Sequence, residues 1–160
     1  MTASSTAGRV RTLGLLILVA GAVFAVAGIV TYVTVSNKLS DQRITVSPDA
    51  AHFAGQQVTE PWQAYAQAEV IAKHANEIAG GKTYAELPQN DPNRNTVMTA
   101  SFLQASLFTS VLAFGVAVMA FVMGILLILI GVALRSLAIA RPAGDAVPDG
   151  PSRTDPVQGR

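Results

Sequence analysis

Two long apolar stretches without a charged side chain constrain this chain more than any other feature. No Asp, Glu, Lys or Arg lies between Arg11 and Lys38, or between Arg94 and Arg135. An uncharged apolar run of about 18 or more residues is typical of a membrane-spanning helix, and both gaps are longer than that. Charged residues make up 13% of the chain, against roughly 25% in soluble domains. The sequence therefore predicts an integral membrane protein with two transmembrane helices.

The first predicted span covers residues 12–35, after a cytoplasmic N-terminus of residues 1–11. At about 1.5 Å per residue it reaches roughly 36 Å, enough for a hydrocarbon core of about 30 Å. The alternative is a cleaved signal peptide, with Arg9 and Arg11 as its basic region and Ala25-Val26-Ala27 as its cleavage site. Because the apolar run continues beyond that site to Val35, a retained anchor is favoured.

The second predicted span, residues 102–134, is longer than a bilayer requires. Residues 99–110 are richer in Ser, Thr and Gln than the rest, so we expect the helix to project from the membrane before entering it. Asp91 and Pro92 form a helix-start pattern, with Asp91 as the N-cap and Pro92 at the first helical position. This predicts one helix from Pro92 to about Leu137.

The basic residues near the spans predict the orientation of the chain. Arg9 and Arg11 precede the first span, whereas Arg135 and Arg141 follow the second. The positive-inside rule then places both termini in the cytoplasm. We expect the membrane to be the plasma (inner) membrane. Residues 135–160, rich in Pro and Gly after Arg141, are predicted to form a disordered cytoplasmic tail.

Small residues recur at heptad spacing in both spans, which predicts a helix-packing interface. In lipid, small side chains let helix backbones approach closely, and a 3.5-residue repeat keeps one seam facing its partner. The partner is either the other span or a separate membrane protein, and the alternative is that the pattern reflects composition alone. The predicted interface residues are Gly14, Gly21, Gly28, Ser106, Ser110, Ala113, Ala117, Ala120, Gly124 and Gly131.

The extracytoplasmic segment, residues 36–101, is predicted to be mainly helical. Residues 44–47 alternate between apolar and polar side chains, and the first three are β-branched, which favours a short strand. A helix is predicted near 61–79, opened by Thr59-Glu60-Pro61 and closed by Gly80-Gly81. Its alanine-rich face is expected to dock on the start of the second span, with Val70 as the one apolar residue on the polar face. The predicted fold is thus an all-α membrane protein, a two-helix transmembrane hairpin with a small extracytoplasmic segment.

Composition and spacing indicate no catalytic site. The chain has no cysteine, which excludes disulfides and thiolate metal sites, and its net charge of +1 does not suggest a nucleic-acid partner. His52, His74 and Glu77 are the residues from which a membrane-tethered metalloenzyme would have to build its site. We predict no cofactor and no metal, and interpret both histidines as solvated surface residues. The remaining alternative is a free-standing lipid- or small-molecule-binding protein, with a groove between the alanine-rich helix and the projecting span.

Several short segments resemble a family of small actinobacterial two-span membrane proteins. They are residues 44–47 (ITVS), 53–55 (FAG), 64–69 (AYAQAE), 80–87 (GGKTYAEL), 95–98 (NTVM) and 106–110 (SLFTS). Members are often labelled aromatic ring-opening dioxygenase, but non-haem iron requires two histidines and a carboxylate in one site, which this chain does not offer. The resemblance implies a non-catalytic accessory subunit of an Mce-type lipid-transport complex, with the lipid bilayer and other membrane subunits as its partners.

Overall fold

Two long apolar helices and a short one between them make up the structure, a computed structural model that describes residues 3–139. Helix α1 covers Ala3–Asp41, α2 covers Pro61–Ile78 and α3 covers Arg94–Ile139. Of these, α1 and α3 are long and apolar enough to cross a membrane. Within the described residues the only β-pairing is one isolated bridge. The all-α class predicted from the sequence is confirmed for this part of the chain.

The long helices extend beyond the predicted spans at both ends. Helix α1 begins at Ala3, inside the predicted N-terminal segment, and continues to Asp41. Residues 135–139, predicted to start the disordered tail, continue α3 instead. The rest of that tail, including Arg141, lies outside the described residues. The helices thus continue beyond their apolar stretches, because polar residues such as Ser36 and Asn37 can also adopt helical backbone angles.

Helix α3 begins two residues later than Asp91 and Pro92 predict. The Asp91 carboxylate accepts a hydrogen bond from the backbone N–H of Asn93 at 2.8 Å, which closes a turn before the helix. The Val97 N–H then donates to the Asn93 carbonyl at 3.0 Å. Asn93 is therefore the residue that precedes the first helical turn, and its side-chain amide donates a hydrogen bond to the Ile78 carbonyl at 3.3 Å.

Helix α2 has sharply defined ends. Glu60 is its N-cap, Pro61 occupies the first turn, and the Gln63 side-chain oxygen accepts hydrogen bonds from the N–H groups of Thr59 and Glu60 at 2.9 and 3.1 Å. At the other end, Gly80 and Gly81 adopt positive φ angles of 62° and 84°. The Gly81 N–H reaches back to the Asn76 carbonyl at 2.9 Å, which ends the helix.

The strand predicted at residues 44–47 is wrong as an extended element. Backbone hydrogen bonds join Val46 to Gln56 and Val58 to Ile44, both at 2.8 Å, but only Thr45 and Gln57 form a bridge. Pro48 follows at once and Phe53 and Gly55 turn the chain at positive φ, so neither stretch continues long enough to pair further. Val46 and Val58 are nevertheless buried, and the pairing serves to hold them inward.

The hydrophobic core lies where α1 and α3 meet the connecting segment, residues 42–93, which includes α2. Its buried members are Leu39 of α1, Leu107 and Phe114 of α3, and four residues of the connecting segment: Val46, Val58, Ala64 and Ala68. A second small cluster joins Ala79, Leu87 and Val97, with Tyr84 packed against it. The connecting segment therefore has no separate core and depends on α1 and α3 for its packing.

Candidate functional site

Helices α1 and α3 run antiparallel and touch backbone to backbone along a seam of small residues. A Cβ atom built on Gly21 would lie 2.7 Å from the Gly124 carbonyl oxygen, and one on Gly28 would lie 2.6 Å from that of Ala117. Real Cβ atoms do not approach so closely, so only glycine fits at these positions. The pairs at closest approach are Gly14 with Gly131, Gly21 with Gly124, and Gly28 with Ala117.

The other four residues of the predicted interface lie away from this closest approach. Ser106 is exposed, and Ser110, Ala113 and Ala120 are half-buried. Beyond Gly28 and Ala117 the seam widens, because large side chains take over the contact between the helices. Leu39, Leu107 and Phe114 are buried there. The glycines and Ala117 thus pack between the two helices of this chain, whereas larger side chains make the contact beyond them.

A hydrogen bond links α1 to the first turn of α2. The Tyr32 hydroxyl donates to the Glu60 carboxylate. The Tyr32 ring stands edge-on to that of Phe114, with centroids 4.8 Å apart and an interplanar angle of 61°. Phe114 is 1% exposed. These three residues form the junction between the long helices and the connecting segment, and together they fix where α2 starts relative to α1 and α3.

An open groove of about 460 Å³ lies between α2 and the first turns of α3. The alanine-rich face of α2, predicted to dock on the start of the second span, is buried at Ala64 and Ala68 in one cluster with Leu107, and the groove lies farther along α2, beside Ala75. Apolar side chains line most of the groove, with one histidine and three small polar side chains among them. The α2 wall consists of Ile71, His74, Ala75 and Ile78, and the α3 wall of Asn95, Thr96, Thr99, Ala100 and Leu103.

The three residues considered for a metal site are not brought together. His74 Nε2 lies 2.8 Å from an Asp49 carboxylate oxygen, and His52 stands edge-on to Phe53 with ring centroids 6.3 Å apart. Within residues 3–139 no group of three or more potential ligands that could hold a metal ion is present. His74 instead joins the loop at Asp49 to α2, a pairing across 25 residues that no local pattern predicts.

The same contact explains why Val70 is buried on the face assigned as polar. Asp49 also lies 3.7 Å from the Lys73 ammonium group, so the loop around residue 49 is held over this side of α2. Val70 is 7% exposed beneath it. The helical wheel distinguishes apolar from polar faces, but it carries no information about a loop that folds back on the helix.

The hydrogen bond from His74 lowers the pKa of the Asp49 carboxyl below its usual value of 3.8, helped by the nearby Lys73 charge. Because the folded-state pKa lies below the unfolded value, the stabilisation is complete above about pH 4 and is lost as the pH falls through the folded-state pKa. We expect the hydrogen-exchange protection factors of residues 43–58, corrected for the intrinsic exchange rate at each pH, to fall selectively as the pH is lowered below about 4. Asp49→Asn should abolish this pH step; a step of unchanged size in that variant would assign it to another group.

Arg94 holds the loop that connects α2 to α3. Its guanidinium donates hydrogen bonds to the carbonyl oxygens of Leu87 and Tyr84 and lies 4.2 Å from the centroid of the Tyr84 ring. In the sequence, Arg94 stands out only as the last charge before the second apolar run. Its structural role depends on how the chain folds at Tyr84 and Leu87, and no local pattern in the sequence predicts that fold.

Comparisons with known proteins add no relative to this geometry: no protein-family model, no curated protein and no solved structure matches the chain.

Proposed function

We propose that the chain is a non-catalytic accessory subunit of a membrane-embedded lipid-transport complex of the Mce type, anchored by α1 and α3 as a transmembrane hairpin. The observation that carries the membrane assignment is the exposure of apolar side chains along both helices. Of the most apolar window of each, only 22% of α1 and 17% of α3 is buried inside the protein. A core helix of a soluble protein would be mostly buried, and water does not tolerate apolar surface on this scale.

Charged residues at the two ends of the hairpin match the thickness of a bilayer. Arg11 and Arg135 lie at one end, where the Arg135 side chain packs against Gly14, and Lys38 lies at the other. From Arg11 to Lys38 the helix rises about 40 Å, close to the 40–45 Å of a bilayer with its headgroups. Since α1 packs on α3 throughout this length, a retained α1 is favoured over a cleaved leader.

The orientation proposed is that both termini face the cytoplasm and the connecting segment faces outward. Arg9, Arg11 and Arg135 gather at the end of the hairpin that carries the termini. Basic residues are enriched on the cytoplasmic side of membrane proteins. The plasma membrane is then the proposed location, with the connecting segment in the space where a lipid transporter receives its substrate.

Apolar surface beyond the level of Lys38 supports a subunit role. The antiparallel register that pairs Gly28 with Ala117 brings Lys38 to the level of Leu107, so Phe102 and Leu103 lie farther out. These two side chains are nevertheless 66% and 48% exposed. Apolar surface above the bilayer marks a contact with another protein or with a ligand. The residue resemblance to the lipid uptake coordinator LucB favours a lipid transporter as that partner.

The test is affinity purification in mild detergent with a tag on the C-terminal tail. We expect co-purified membrane subunits in fixed proportion, lost on replacement Phe102→Asp. Phe53→Asp is the matched control: Phe53 is 37% exposed in the 42–60 loop, and its replacement should leave the complex intact. Purification of the unaltered chain as a lone monomer would contradict the accessory-subunit proposal.

The groove between α2 and α3 favours a second candidate function, a membrane-anchored lipid- or small-molecule-binding protein. Its apolar walls suit an acyl chain, while Asn95 and Thr96 offer polar contacts at the same site. Native mass spectrometry should then detect a bound lipid that is absent from Ala100→Phe, which fills the groove. A bound lipid on the lone chain would favour this function, whereas stoichiometric subunits and an empty groove would favour the first.

A further inference from the structure

Three aromatic side chains gather on the surface where α2 begins beside α3. Tyr65 of α2 stands edge-on to Phe108 of α3, with ring centroids 5.7 Å apart and an interplanar angle of 62°. Trp62 lies three residues before Tyr65, on the same side of α2. The exposed fractions are 56% for Trp62, 47% for Tyr65 and 37% for Phe108. We refer to Trp62, Tyr65 and Phe108 as the aromatic patch.

The aromatic patch lies at the level where the uncharged run of α1 ends. The register that pairs Gly28 with Ala117 sets Phe108 beside Asn37, next to Lys38. Leu39, two residues after Asn37, and Leu107, one residue before Phe108, share the same buried cluster. The patch thus lies at the edge of the hairpin's apolar surface, neither in its middle nor far beyond it.

The patch is also continuous with that apolar surface. Leu112, one helical turn from Phe108 toward the middle of α3, is 67% exposed, and Met119 two turns further is 63% exposed. In the other direction the residues on the same face of α3 as Phe108 are polar: Gln104 lies four residues away and Ser101 seven. The aromatic side chains therefore stand where an apolar face gives way to a polar one.

The Tyr65 hydroxyl has a carboxylate neighbour on α2. Glu69, one turn farther along the helix, raises the pKa of this hydroxyl. Since α2 runs antiparallel to α3, Glu69 lies farther from the middle of the hairpin than Tyr65 does. The ring thus packs toward Phe108 while the hydroxyl reaches toward the aqueous side, the arrangement that tyrosine and tryptophan adopt in the headgroup region of membranes.

We propose that the aromatic patch lies in the headgroup region of the outer leaflet and seats the connecting segment on the membrane surface. The occupant of this surface is lipid, because the patch continues the bilayer-facing surface of α3 at the depth of Lys38. The proposal rests on the proposed transmembrane hairpin. It implies that α2 starts at the membrane surface and leads away from it, which places the groove between α2 and α3 above the lipid headgroups.

Trp62 is the only tryptophan of the chain, so it reports the depth of the patch directly. The full chain is reconstituted in phosphatidylcholine vesicles that contain lipids brominated either near the headgroup end or near the methyl end of the acyl chain. We expect a blue-shifted emission, a larger loss of fluorescence with the shallow bromines than with the deep ones, and weak quenching by aqueous iodide. Strong iodide quenching without any bromine effect would overturn the proposal.

Two variants calibrate the depth scale and separate the two proposals. In Trp62→Phe/Phe121→Trp the probe moves midway between Arg11 and Lys38, so deep bromines should quench it most. In Trp62→Phe/Phe102→Trp it moves about 9 Å farther out than Phe108, and only iodide should quench it. If bromines do not reach the probe at residue 121, the transmembrane hairpin itself is wrong. If they reach it while Trp62 responds to iodide alone, only the aromatic patch has been misplaced.

Discussion

Replacing Gly124 by leucine is expected to separate α1 from α3. Gly124 lies against the backbone of Gly21 and Ala25, with no space for a side chain on either side of the seam. A Leu side chain must push the helices apart, and because backbone atoms oppose it, repacking of neighbouring side chains gives no relief. We expect a loss of about 3 kcal/mol in the free energy of unfolding, the upper end of the usual cost of overpacking. Titration with a denaturing detergent, followed by circular dichroism, measures this loss.

Gly115→Leu is the matched control on the same helix. A Cβ atom at Gly115 meets nothing within 4 Å, so the new side chain faces outward. We expect this variant to be as stable as the unaltered chain, or more stable by up to about 1 kcal/mol from the higher helix propensity of leucine. Equal destabilisation by the two replacements would show that the glycine seam is not the contact between α1 and α3.

Phe114→Ala is expected to be the most damaging single truncation in the described part of the chain. Phe114 is 1% exposed, and it packs against Tyr32 in the cluster that joins all three helices. Truncation of a buried Phe costs about 3–5 kcal/mol, from the lost transfer free energy and the cavity that remains. Because the cavity adjoins the Tyr32–Glu60 hydrogen bond, we also expect faster hydrogen exchange in residues 42–60.

Phe102→Ala provides the comparison for this truncation. Phe102 belongs to the same helix but is 66% exposed. In the purified chain, truncation of this side chain to alanine should change the free energy of unfolding by no more than about 0.5 kcal/mol. If both alanine variants unfold alike, the connecting segment does not depend on Phe114 for its attachment to the long helices.

The features that the sequence predicts well are those determined by residues close together in the chain. The charge gaps identify α1 and α3 because ionised side chains are costly in an apolar environment, wherever the rest of the chain lies. Glu60-Pro61 and Gly80-Gly81 bound α2 because N-cap, proline and positive-φ requirements act within one helical turn. The heptad spacing of Gly14, Gly21 and Gly28 likewise follows from the geometry of a single helix.

The features that the sequence does not predict depend on segments far apart in the chain. Tyr32 bonds Glu60 across 28 residues and Asp49 meets His74 across 25, and neither pair has a local signal. The heptad pattern gives no register between the helices, so it could not distinguish Gly124, at the closest approach, from the exposed Ser106. The strand predicted at residues 44–47 is wrong for a different reason, because Pro48 and the positive φ angles of Phe53 and Gly55 end the pairing at once.

Single-cysteine labelling tests the central claim, the transmembrane hairpin, most directly, and the chain provides a cysteine-free background for it. Gly8→Cys places a thiol in open space near the N-terminus, Glu77→Cys on the exposed side of α2, and Val23→Cys on the apolar surface of α1. With a membrane-impermeant maleimide, we expect Glu77→Cys to react in intact cells, Gly8→Cys only after the membrane is permeabilised, and Val23→Cys in neither case. Equal reaction of Gly8→Cys and Glu77→Cys in intact cells, or ready reaction of Val23→Cys, would contradict a hairpin that spans the membrane.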